Sequence, residues 1–249
     1  MMAVSLHIIT EFMQMDPTLV WELLQQNHPD LLTGARPCYC GESKCVLDTV
    51  SKCIRRRRKP HFGVSFEQNT LSELAYGHIR NYEQSLITID QMVSDVVDGW
   101  RWTEPFTHCS GFRQAWVFDD EFCHWQNADD PLEYTSVDRS YAGLPMKSNG
   151  LPYPLEQMII DTSGNPGRRE VRDGYVEAVG AVMWLGQQFW QVTGTRKEDV
   201  LAQDWLTCRE LPFDVLCVQA SEQPFTTAEG QEGRKQDQLR ALLFPDVVG

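Results

Sequence analysis

Four cysteines within sixteen residues, Cys38, Cys40, Cys45 and Cys53, are the first residues in this chain whose type and proximity could do chemistry. Four thiolates can satisfy the tetrahedral coordination of a structural zinc. Their spacing, C-x-C-x4-C-x7-C, lacks the two separated C-x2-C or C-x4-C knuckles that zinc ribbons present. The segment therefore reads as an irregular loop followed by a short helix with buried thiols, and no metal is expected there. A second set, His108-Cys109 and Cys123-His124, would offer two imidazoles and two thiolates if a strand hairpin over 102–138 brought the pairs together. It too lacks a knuckle. The run Arg55 to Lys59 is the one strong basic cluster; it has no interleaved aromatics, and reads as a solvated helix end or an ion-pair partner for the acidic remainder.

The charge pattern after residue 113 points to a different chemistry. Gln114 to Asp138 carries seven carboxylates and no Lys or Arg, interleaved with Trp116, Phe118, Phe122, Trp125 and Tyr134. Carboxylates steer a basic partner, and aromatic rings supply the desolvated anchors of an interface. Asp119, Asp120, Glu121, Trp125, Asp129, Asp130 and Glu133 are accordingly the candidate contacts of a protein-binding face. Two readings compete with it. One is a solvated hairpin whose aromatics turn inwards; the other is a divalent-metal hydrolase on Asp119, Asp120 and Glu121, although consecutive carboxylates on a strand point to opposite sides. Neither Gly-containing loop, 143–154 or 163–169, matches a phosphate cradle, and no G-x-S-x-G, H-E-x2-H or kinase signature occurs. No catalytic residue, metal ligand or cofactor is assigned, and a non-enzymatic role is expected.

These residues must be positioned by elements whose signals run the length of the chain. Val4 to Phe12 alternates as a strand, and Asp16-Pro17 caps a helix reaching His28-Pro29. His7, on the more polar face of that strand, reads as a solvated side chain. A strand is expected from Phe62 to Asn69. Leu71, Leu74, Ala75, His78, Ile79 and Tyr82 fit one face of a helix, with His78 a core histidine hydrogen-bonded to a neighbour, and Thr88 to Trp100 reads as a second helix. Residues 143–154 read as a surface connection, Glu156 to Asp161 as a short strand and 163–169 as a loop. The largely apolar stretch Arg172 to Gly194 must be core; both helical and alternating templates fit it, and Gly180 and Gly186 favour a buried strand ending near Gly186 with a turn carrying Phe189 and Trp190. Thr195 to Glu198 has the capping-box pattern of a helix towards Trp205, Phe213 to Ala220 reads as a strand, Pro224 to Lys235 as a mobile loop, and Gln236 to Phe244 as a last helix.

Together these signals give an α+β fold, a mixed or antiparallel sheet packed against several amphipathic helices. Two units are expected, 1–61 with the Cys/Arg-rich region and 62–249, with one continuous domain as the alternative. At 249 residues and 42% hydrophobic the chain can bury a sizeable core. No apolar run approaches the ~18 residues of a bilayer span and no signal-peptide pattern opens the chain, so a cytoplasmic protein with reduced thiols is expected. A net charge of −13 and a pI near 4.8 argue against nucleic-acid or anionic-membrane partners and favour a basic one.

From about Phe62 onward the order of features resembles the immunity protein 52 family of bacterial polymorphic-toxin systems. The residues that carry the likeness are Tyr82 before the Thr88–Trp100 segment, the aromatic Phe112-to-Phe118 strand, the Leu151–Pro154 loop, and Gly186-Gln-Gln-Phe189-Trp190 with Gly194 before a capped helix and a strand. The resemblance implies a cytosolic antidote that binds and neutralises a cognate toxin. Such a toxin is a nuclease of restriction-endonuclease-like fold, delivered by type VI or related secretion. The alternatives are a metal-dependent hydrolase or nucleic-acid-modifying enzyme, and a zinc-containing adaptor. The oligomeric state is left open.

Overall fold

The computed structural model describes residues 4–13, 15–66, 71–92, 98–109 and 111–245. Alternation at the N-terminus produces the expected strand, β1 (Val4–Glu11), with Leu6 and Ile8 on one side and His7 and Ile9 on the other. Asp16 then starts α1 (Pro17–Asn27): its carboxylate accepts from the Thr18 and Leu19 amides at 2.8 and 3.4 Å, and Pro17 occupies the first helical position. Asp16→Ala should lower stability by about 1 kcal/mol in urea unfolding while Asp16→Asn is nearly neutral; equal stabilities of the alanine variant and the parent would show that the cap contributes nothing.

After α2 (Pro29–Leu32), the cysteine segment corrects the expected irregular loop. It is a hairpin, β2 (Pro37–Cys40) with β3 (Ser43–Val46), joined to the short helix that was expected, α3 (Val50–Arg57). The basic run ends that helix, where cations suit the negative end of the dipole, and Arg55 pairs with Glu22 at 2.6 Å. β4 (Phe62–Phe66) follows as expected, residues 67–69 of that expectation lying outside the described residues.

Two expected helices are strands instead. The 71–82 stripe is β5 (Glu73–Ile79) with a short 3-10 turn, and the front of the Thr88–Trp100 segment is β6 (Gln84–Met92). Residues 93–97 lie outside the described residues, and α4 (Asp98–Thr107) takes up the end of that segment. Leu74 and Tyr76, like Ile87 and Ile89, are two apart and share one buried face. Registers with β4 on one side and β1 on the other satisfy the backbone groups that a helix would have satisfied internally.

β7 (Phe112–Asp119) is buried along its whole length and passes directly into α5 (Asp120–Asn127) and then α6 (Pro131–Ser136), so the hairpin weighed as one alternative for this region does not form. Then come β8 (Met146–Ser148), β9 (Met158–Ile160), β10 (Glu170–Arg172), β11 (Tyr175–Glu177) and β12 (Val182–Leu185). β12 ends at Gly186 as expected, but Phe189 and Trp190 belong to a helix, α7 (Gln187–Thr193), rather than a turn. A Cβ on Gly186 would lie 2.7 Å from the Phe112 carbonyl oxygen, which is why glycine stands there. α8 (Lys197–Leu201) is capped by Arg196, not Thr195; the Thr195 hydroxyl is buried and donates to the Leu243 carbonyl, so no capping box forms. β13 (Thr207–Leu211), β14 (Val215–Gln219) and α9 (Gly230–Leu243) complete the chain, the last helix taking in six residues, 230–235, of the segment expected as a loop.

Ten strands form one sheet in the order β13-β14-β12-β7-β1-β6-β5-β4-β2-β3, every neighbouring pair antiparallel. The α+β class is thus as expected. One face is covered by α1 to α4, with Trp21, Trp102 and Phe106 packed on Leu6, Tyr76, Ile89 and Trp184. The other face carries Trp116, Met183, Leu216 and Val218 under α5 and α7 to α9. That second cluster reaches Leu86 on β6. Ala75, Gly77 and Leu86 line a cavity of about 400 Å³ on the sheet there.

Candidate functional site

The acidic stretch is placed by its own capping chemistry. β7 delivers Asp119 to the sheet rim, where its carboxylate accepts from the Phe122 amide at 2.8 Å and starts α5; Asp130 does the same for α6, accepting from Leu132 at 2.8 Å. Two of the seven candidates are therefore helix caps. Glu121, Asp129, Asp130 and Glu133 are exposed, and Glu133 approaches His124 at 3.4 Å. Trp125 is half-buried, edge-on to Tyr134 with centroids 4.7 Å apart, and the Arg139 guanidinium lies 4.4 Å over it. Tyr134, Ala128 and Ile160 form a small core beneath it.

α5 separates two clefts. Asp119, Glu121, Trp125 and Arg139 line one of about 690 Å³, closed from the far side by Thr226 to Glu229. Asp120, Cys123 and His124 line the other, of about 420 Å³, with His7, Glu73, Asp90 and Arg169 opposite. The structure therefore puts Asp119, Glu121 and Trp125 on one side of α5 and Asp120 on the other, while Asp129, Asp130 and Glu133 stand apart at the start of α6. The second cleft is the more unusual electrostatically. Burial raises the pKa of Asp120, with Asp90 and Asp119 adding repulsion and a Ser5 hydrogen bond opposing it; burial and Glu73 raise that of Asp90. One Asp120 oxygen is buried with no hydrogen-bond partner among the described residues. The Arg169 guanidinium faces the same cleft and opposes both shifts, holding the two carboxyls down.

His7 corrects the solvated reading. It packs edge-on to Phe118 at 4.7 Å and Trp116 at 5.3 Å, with an Arg169 nitrogen 3.4 Å from its Nδ1. Burial first, and Arg169 second, lower its pKa to about 3. Ile9 on the same strand face was the available sign that this face is covered too. Asp90 and Glu73 were hidden inside expected helices, and Arg169 inside a loop. His78 is hydrogen-bonded to a neighbour as expected, Ser85 at 2.8 Å, though on a strand.

A pH dependence follows. His7 is neutral when folded but takes a proton near 6.5 when unfolded, so stability from keeping it neutral is complete above that pH and is lost as pH falls from 6.5 towards 3. The raised carboxylates act oppositely, their penalty easing in acid. Between about pH 7.5 and about pH 5, His7→Gln should lose less urea stability than the parent; equal losses would remove His7 as the acid-sensitive group.

Beyond α6 an arm leaves the body. β8 and β9 pair as a two-stranded hairpin whose loop is tied by Asn149, which accepts from the Leu151 and Gln157 amides and donates to the Leu155 carbonyl. Lys147 pairs with Asp161 at 2.9 Å at its base. The loop turns apolar residues outward: Tyr153 is 91% exposed, Leu155 61% and Leu151 50%. The surface connection expected at 143–154 is thus present and exposes these apolar side chains, and the base of the hairpin is joined to the acidic segment by the Ile160 amide on the Asp129 carbonyl.

Among the described residues no helix is long and apolar enough to cross a membrane. No family model matches the chain, and no curated protein matches it. Its fold is similar to that of the solved Pseudomonas aeruginosa T6SS protein PA0821, with a TM-score of 0.54 at 8% identity over 99% of this chain and 74% of that one. At that identity the likeness concerns the fold.

Proposed function

We propose that this chain is an immunity protein of the immunity protein 52 kind, which binds a cognate toxin and neutralises it without chemistry of its own. The observation that carries the reading is an exposed acidic segment joined to the base of a hairpin whose Asn149-tied loop exposes Leu151, Tyr153 and Leu155. Monomeric proteins seldom display large apolar side chains together on an ordered loop, and such groups mark interaction sites. The carboxylates select a basic partner. A nuclease fits that description, because its cleft must attract a polyanion and an acidic protein can occupy it by the same field. The likeness in fold to a T6SS protein supports a role in type VI secretion.

The test is co-production with a secreted toxin encoded by a neighbouring gene, which this reading expects. Growth should be restored, and a stable complex of the two should be isolated, while a non-cognate toxin of the same class still kills. Absence of any complex with purified partner would overturn the reading. Metal-dependent turnover by the purified chain, lost on changing Asp120 to Asn, would favour the hydrolase alternative instead.

A further inference from the structure

Two features that the acidic surface does not use lie together at the other end of the sheet: the clustered cysteines and the basic run. Cys38 and Cys40 alternate to the same side of β2, and both are fully buried. Cys45 stands opposite Cys38 in the β2–β3 register, and their sulfurs are 3.5 Å apart. Cys53 comes across from α3: its sulfur is 4.0 Å from the Cys40 carbonyl oxygen, and the Cys53 and Cys40 thiols share a hydrogen bond. Arg57 holds the helix end to the hairpin, donating to the Cys40 carbonyl at 2.6 Å. The arrangement is two pairs rather than one tetrahedral set, since among the described residues no three His, Cys, Asp or Glu groups are placed to hold a metal ion.

We propose that Cys38 with Cys45, and Cys40 with Cys53, are two dithiol pairs that a small anionic disulfide of the glutathione class oxidises to two disulfides. In each pair one member is buried and the other half-buried. The Cys45 thiolate attacks the small disulfide, breaking its S–S bond, forming a mixed disulfide and releasing one thiolate. Cys38 passes its proton to that thiolate and attacks the Cys45 sulfur, forming the protein disulfide and expelling the second small thiolate, which takes up from water the proton that Cys45 had released. Each pair thus gives up two hydrogens and two electrons, and one small disulfide becomes two thiols. Cys53 and Cys40 react in the same way. Burial pushes the Cys38 and Cys40 thiols up to about 12, which leaves the first attack to their more accessible partners. Register partners 3.5 Å apart need only side-chain movement to reach a bond of about 2.05 Å. The exposed Arg56, Arg58 and Lys59, just beyond Cys53, concentrate an anionic oxidant that the rest of this acidic chain would repel.

The experiment uses the full chain, reduced and treated with a chelator, then exposed to oxidised glutathione and alkylated. The expected product has lost four hydrogens, with Cys109, Cys123, Cys208 and Cys217 alkylated and the four clustered thiols protected. Cys45→Ser should abolish one bond and leave Cys40 linked to Cys53; Cys53→Ser should do the converse, and both changes are at half-buried positions that leave the core intact. The oxidised protein should melt several degrees higher. Alkylation of the four clustered thiols themselves, arrest at mixed adducts, or a Cys45–Cys53 link would overturn the assignment. So would one zinc per untreated chain that protects all four thiols until chelated. At low ionic strength oxidised glutathione should react several-fold faster than neutral hydroxyethyl disulfide, after normalising to free cysteine. That advantage should vanish when Arg56, Arg58 and Lys59 become Gln; an equal rate in parent and variant would overturn the part given to the basic run.

Discussion

If this chain binds a toxin as proposed, changing Leu151, Tyr153 and Leu155 together to Ser should weaken that binding by at least about 100-fold, or about 3 kcal/mol, and leave thermal unfolding unchanged. The fold should be indifferent because all three side chains already face solvent, so their removal deletes no core contact. Binding should not be indifferent, because a buried aromatic or aliphatic anchor at an interface centre contributes about 2 kcal/mol or more, and the Asn149 bonds hold the loop in one conformation before the partner arrives. The loss should appear chiefly as faster dissociation. Charge changes should behave differently: Glu121→Gln, Asp129→Asn and Glu133→Gln together should slow association and flatten its salt dependence, since these carboxylates are exposed and screened. Asp119 and Asp130 do not belong in that variant, because each caps a helix, and Trp125→Ala would strip the packing under Arg139 and against Tyr134. A stable triple-Ser protein with unaltered kinetics would show that the arm is not the interface.

Glu177→Ala is expected to cost the fold about 3 to 5 kcal/mol, the largest single effect of the substitutions considered. Glu177 is wholly buried at the end of β11. One oxygen accepts from Arg240 at 2.6 Å and Arg168 at 3.4 Å, the other from Arg172 at 3.1 Å. Arg240, on α9, is itself buried and also donates to the Pro166 carbonyl. Removing the carboxylate leaves the buried Arg240 guanidinium without the charged partner it is bonded to, which costs far more than the lost bonds alone. At roughly 2 to 4 °C per kcal/mol for a chain of this size, the melting temperature should fall by about 10 °C. The double change Glu177→Leu with Arg240→Met should be less damaging than either single change, because an apolar pair removes both the charge and its need. A double variant as unstable as the sum of the singles would refute that account.

What the sequence by itself determines here has local causes. β1 is legible because alternation over a few residues is enough to define a strand with one covered face, and α1 because Asp16 and Pro17 act on amides two and three residues away. Gly186 ends β12 where expected, and the exposed character of 143–154 is written in its prolines and glycines. The acidic ridge is legible as composition, and four of its seven residues are exposed carboxylates.

Only the tertiary structure decided the rest. Leu71 to Tyr82 fits a helical stripe as well as a strand, because spacings of three and four overlap with spacings of two over a short window; the choice fell to β4 and β6, which supply hydrogen bonds from other parts of the chain. The same holds for 102–138, where a hairpin and a strand followed by a capped helix share one hydrophobic pattern, and for His7, whose surroundings of Trp116, Phe118 and Arg169 come from more than a hundred residues away. Asp90 and Asp120 become one site, and Glu177 becomes the partner of Arg240, through approaches that no local spacing encodes. The physical reason is common to all of them. Burial and charge pairing depend on what faces a residue in space, whereas capping, alternation and turn chemistry depend on what stands next to it along the chain.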